Sequence, residues 1–191
     1  DRQEAVKDLQ EQALTVLSSN DEPTSAATDL YRSALAREPD GTPEHGALSH
    51  MIEACTYWET GDEALAKWDG IQSKTSYAAA DTAAKEAAGI LATPGYYGDK
   101  VQLSKGAQVA LDECLSKAQH EIDRKTSFEE HMAAGKSHLE TSRAVDALAE
   151  LLEAEKLAAS PEEKARVPVE QELAGDEKQR QEQVKDLQDQ A

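Results

Sequence analysis

The chain has 191 residues, of which 39% are apolar, 30% charged and only 4% aromatic. That balance suits a folded chain built on helix-to-helix contacts between small side chains, rather than a disordered segment or a large aromatic core. Thirty-eight acidic residues against twenty basic ones give a net charge of −18, a field that repels phosphate backbones and anionic lipid.

The first predicted helix runs from Gln3 to Ser19, with Val6, Leu9, Ala13, Leu14 and Leu17 on one face. Asn20-Asp21-Glu22-Pro23-Thr24 is a turn cluster, since proline cannot continue a helix. A second helix spans Ser25 to Arg37 through Ala27, Leu30, Tyr31, Ala34 and Leu35, and ends at Pro39-Asp40-Gly41. Thr42-Pro43 starts a third, Thr42 as N-cap and Pro43 in the first turn. It carries Leu48, Met51, Ile52, Cys55 and Tyr57/Trp58 to about Thr60, where Gly61-Asp62 is expected to break it. The fourth helix follows with Ala64, Leu65, Trp68 and Ile71, and the fifth is the alanine-rich Ala78 to Ala92, closed by Pro94-Gly95.

Asp99 is the expected cap of a sixth helix whose seam runs from Leu103 through Leu111 and Cys114 to Ile122. Ser127-Phe128-Glu129-Glu130 reads as a capping box opening a seventh, with Phe128, Met132, Gly135 and Leu139. The eighth, from Arg143 to Ala159, is amphipathic through Ala147, Leu148, Leu151, Leu152, Ala154 and Leu157. Ser160-Pro161-Glu162-Glu163 is a second capping box; the ninth helix beyond it holds Val167, Val169 and Leu173, with Pro168 expected to kink or shorten it. Gly175-Asp176 is expected to stop that helix and start a tenth.

The tenth is a near copy of the first. Arg2–Ala13 reads RQEAVKDLQEQA and Arg180–Ala191 reads RQEQVKDLQDQA, ten of twelve positions being identical. Self-similarity at a fixed offset is the mark of a repeat architecture. The offset from Arg2 to Arg180 is 178 residues, so the chain is expected to hold one full unit, residues 1–175, and the opening helix of the next, residues 176–191. Ten helices then make five hairpins of roughly 36 residues each.

Three of these hairpins can be compared with a known spacing: a small residue, another twelve positions on, a large one at sixteen and a small one at nineteen. Gly135, Ala147, Leu151 and Ala154 follow it, as do Thr15, Ala27, Tyr31 and Ala34, with Pro39 as a closing proline. Ala54, Ala64, Trp68 and Ile71 keep the order with a turn two residues shorter. On these residues the chain resembles the tetratricopeptide repeat family over roughly Gln3–Ile71 and Phe128–Pro161. The resemblance implies an all-α, right-handed solenoid of about five antiparallel hairpins. Its concave surface, lined by the first helix of each hairpin, would hold a peptide or helix from another protein.

Catalytic, cofactor-binding and metal-binding residues are not expected. His131 and His138 lie seven apart on one helix face, but a zinc site needs three or four ligands and nothing nearby joins them. His45 and His50 do not share a face, and His120 stands alone in a charged stretch. Gly135-Lys136-Ser137 echoes the end of a phosphate-binding loop, yet Glu130 occupies the place of the required first glycine. Cys55 and Cys114 sit among apolar neighbours and read as buried free thiols, which favours a reducing, cytoplasmic setting. No apolar run approaches the ~20 residues of a membrane span. The start at Asp1, without Met, suggests that upstream sequence has been removed.

Carboxylate-terminal peptide capture by paired Asn and Lys is disfavoured, because Asn20 is the single asparagine. The functional expectation is a non-enzymatic acidic scaffold that docks a protein or peptide, a basic one by charge, through contacts left unassigned. The alternatives are a spacer unit of a large tandem-repeat protein, self-stacking on its neighbours, or a small acidic secretion-type chaperone.

Overall fold

The computed structural model describes residues 2–19, 24–91 and 105–190. All its regular elements among these residues are α-helices, so the fold class is all-α. In chain order they are α1 (Arg2–Ser18), α2 (Thr24–Leu35), α3 (Pro43–Ala66), α4 (Gly70–Leu91), α5 (Lys105–Glu140), α6 (Ala144–Leu157) and α7 (Pro161–Asp189). They fall into two units, Asp1–His120 and Glu121–Ala191, and the boundary lies inside α5.

Seven helices among the described residues, rather than ten, is the main correction, and it comes from three fusions. Gly61-Asp62 does not interrupt α3. A single glycine within a helix costs only about 1 kcal/mol, and tertiary contacts outweigh that. Gly61 lets the buried Tyr77 ring lie against the α3 backbone; a Cβ there would stand 2.5 Å from the Tyr77 ring. Asp62 then accepts a 2.6 Å hydrogen bond from the Tyr77 hydroxyl.

The turn comes later, at Lys67-Trp68-Asp69. The Trp68 N–H donates to the Leu65 carbonyl and the Asp69 N–H to the Ala64 carbonyl, with Trp68 left-handed at φ +62°. This is the Schellman ending, in a place where glycine is usual. Asp69 caps α4 by accepting the Gln72 N–H at 2.9 Å. Ala54 and Ala64 therefore share one helix, and the expected hairpin of Ala54, Ala64, Trp68 and Ile71 does not form.

The second fusion places Ser127-Phe128-Glu129-Glu130 in the middle of α5. No proline, glycine or asparagine precedes it to turn the chain, and the Thr126 hydroxyl donates to the Ile122 carbonyl in ordinary helical fashion. The third carries α7 straight through Gly175-Asp176, past Pro168, which points to solvent and removes only one backbone donor. Pro94-Gly95, Asp99 and Leu103 lie outside the described residues.

Two helix starts are as the sequence reads. Thr42 caps α3, accepting the His45 N–H at 3.2 Å. Ser160 and Glu163 form a complete capping box at α7.

In the first unit the helices run antiparallel in sequence, and their small residues meet at the crossings. Ala13, Ala27, Tyr31, Ala34, Leu48, Met51, Tyr77 and Leu111 are fully shielded in one continuous core. In the second unit Gly135 faces Leu151 across the α5–α6 crossing, where a Cβ would come within 2.9 Å of Leu151 Cγ. Around it Phe128, Met132, Ala147, Ala154, Val167 and Ala174 complete a smaller core. The spacing of Gly135, Ala147, Leu151 and Ala154 thus corresponds to a real close approach of two backbones.

Candidate functional site: the outer face of the last helix

The base of α7 is fixed by a buried charge cluster. Arg124 on α5 reaches Glu163 with two hydrogen bonds, Nη1 to Oε2 at 2.9 Å and Nη2 to Oε1 at 3.0 Å. It also donates from Nε to Glu121 at 2.9 Å and from Nη1 to the Leu157 carbonyl at the end of α6. Glu163 accepts the Ala159 and Ser160 N–H groups as well, at 2.9 and 3.0 Å. Burial pushes the Glu163 carboxyl up, but the bonds from Arg124 and the two amides outweigh it and hold the group down at about 2.

Further along, Arg166 forks onto Glu129 at 2.6 and 2.9 Å while its guanidinium lies 5.3 Å from the centre of the Phe128 ring. Lys136 pairs with Glu170 at 3.0 Å. The three links advance together along both helices, so α5 and α7 are parallel, with α6 running antiparallel to them.

Beyond these links α7 carries a second apolar line. Val169, Leu173, Val184 and Leu187 are all at least half exposed. At 3.6 residues per turn they lie within an arc of about 60°, over about 27 Å of helix. That arc is about a quarter-turn from the buried Val167 and Ala174.

The end of this line is the duplicated segment, so one sequence appears in two environments. In α1, Val6 is 6% exposed, Ala13 is fully buried, Gln10 is buried and Leu9 packs on the core, facing α2. In α7 the equivalent Val184 and Leu187 are 50% and 68% exposed, and Gln188 is exposed too. Residues 182–190 touch solvent throughout; upstream, Gln181 Nε2 donates to the Ser142 carbonyl at 2.7 Å. Sequence reasoning found the repeat but not the exposed Val169 and Leu173, because it placed both inside a packed ninth helix.

The histidines are dispersed. His131 bonds Glu150 at 2.7 Å, His50 lies beside Glu53 and Glu86, and His45 beside Asp40. His138 brings no third ligand to His131, and among the described residues no group of three His, Cys, Asp or Glu is placed to hold a metal ion. Lys136 and Ser137 of the phosphate-loop echo lie in the C-terminal turns of α5. Cys55 is buried and Cys114 half-buried, both unbridged. Burial pushes the Cys55 thiol up to about 12, so it carries no thiolate at neutral pH. No described helix is long and apolar enough to cross a membrane.

No family model matches the chain, and no curated protein and no solved structure matches it either.

Proposed function

We propose that this chain is a non-enzymatic helical scaffold, one structural unit of a tandem array whose hairpins stack in tetratricopeptide-like, right-handed order. One observation carries this reading: the Val-Leu line of a twelve-residue repeat is covered in α1, at Val6 and Leu9, and exposed in α7, at Val184 and Leu187. An apolar stripe kept nearly unchanged in both places, yet covered in only one, is what a unit awaiting its neighbour presents. The spacing of Gly135, Ala147, Leu151 and Ala154 supports the hairpin class. In such an array the work is reach and spacing, with stability drawn from nearest neighbours.

Chains of one, two and three units, joined in the 178-residue register, test it by small-angle scattering. The maximum dimension is expected to grow by a constant increment per unit. A two-unit chain no longer than a single one would overturn the reading.

A second reading, the docking of a basic protein segment, is favoured by the net charge of −18. Capture of a basic protein at low salt and its release at high salt would support it.

A further inference from the structure

The two copies of the repeated segment also say what should cover the exposed one. Within the chain, α1 lays Val6, Leu9 and Ala13 onto a core that α2 supplies with Ala27, Tyr31 and Ala34, all three fully buried. Val184 and Leu187 of α7 repeat Val6 and Leu9 in identity, spacing and helical state. Of the two differences within the segment, Asp189 for Glu11 falls on the far side of the helix, and Gln183 for Ala5 sits at the edge of the Val-Leu-Ala line, one turn before Leu187.

Resting on the array reading above, we propose that the occupant of the Val184–Leu187 face is α2 of a second copy of this chain. The last three turns of α7 then serve at once as the end of one unit and as α1 of the next. No linker separates the units; they share a helix. The segment's own composition fits that double duty. Residues 180–190 include no glycine and no proline, and most are good helix formers. The apolar line is also narrow, enough to seat one antiparallel helix of α2's kind rather than to bury the segment on all sides.

Other occupants predict different behaviour. A segment of this same chain would leave Val184 and Leu187 covered in the single unit, and they are not. An unrelated protein would have no reason to find the α1 pattern repeated at ten of twelve positions.

The test is amide hydrogen exchange on two chains: the full 191-residue chain, and the same chain continued directly by residues 14–191 of a second copy. Exchange across 180–190 is expected to slow at least tenfold in the two-unit chain. Leu187→Asp is expected to leave the thermal midpoint of the single chain unchanged and to lower that of the two-unit chain, as Leu9→Asp lowers that of the single chain. The unchanged single chain shows that the variant still folds. Equal exchange rates in the two chains, or a two-unit midpoint indifferent to Leu187→Asp, would overturn the shared helix. If the scattering increment per unit persists in that case, the array stands and only the docking fails; if the increment vanishes, the array itself falls.

Discussion

Individual residues decide the chain's response to acid. The Glu163 carboxyl is held at about 2 in the folded chain, below the ordinary Glu range near 4.3. A depressed carboxyl stabilises the fold above its unfolded value and loses that contribution as pH falls through the folded one. The α5–α7 region should therefore weaken between about pH 5 and pH 2. Glu163→Gln is expected to flatten that dependence and to cost about 2 kcal/mol at neutral pH, read from denaturant midpoints of the second unit by residue-resolved exchange. In the first unit Asp62 works in the opposite sense: burial raises its carboxyl, with the Tyr77 bond only partly compensating, so protonation there relieves a penalty.

Ser142 is a second residue-scale case. Held left-handed at φ +55°, it ends α5 through the bonds Ser142 N–H to Leu139 and Arg143 N–H to His138. Glycine adopts that conformation without cost, and the Ser142 side chain is exposed. Ser142→Gly is expected to raise stability by about 1 kcal/mol, a gain of a few degrees in the melting midpoint.

At the scale of the element, glycine means opposite things at two positions. Gly61→Ala would drive a Cβ to 2.5 Å from the Tyr77 ring, itself tied to Asp62, so the helix-propensity gain is overrun by overpacking. The expected net loss is about 1–2 kcal/mol in a denaturant melt. Gly175 has nothing within 4 Å of a Cβ, so Gly175→Ala should stabilise α7 by about 1 kcal/mol.

The same contrast explains how far the sequence was legible. Apolar spacing located the buried faces of α1, α2 and α6, and the capping signals at Thr42 and Ser160 were real. Glycine at 61 and 175 looked like punctuation because its local preference is visible in sequence; the Tyr77 ring that overrides it at Gly61 is not. The true stops, at Trp68 and Ser142, carry no glycine; of their neighbours only Asp69 with Gln72 left a readable capping signal. Arg124 was invisible for a different reason. Its partners Glu121 and Glu163 flank it at distances of three and thirty-nine residues, and only the folded chain brings all three together.

For the whole molecule, the repeated segment was the most informative stretch, since identity needs no structural inference to detect. Its two copies differ in burial: the Val-Leu line is covered in α1 and exposed in α7. If units share helices, thermal stability is expected to rise with unit number and then level off, because each added junction contributes one more neighbour contact. Melting curves of one-, two- and three-unit chains check this, and coincident midpoints would contradict it.

The passage from the first unit to the second is made inside α5, between His120 and Glu121, with backbone hydrogen bonding uninterrupted on both sides. Proteases need several residues of extended strand to engage a cleavage site, and exposed loop tips are where they find it. Digestion of the native protein should thus spare the 120–121 border, so the two units would not be released as separate fragments by a cut there.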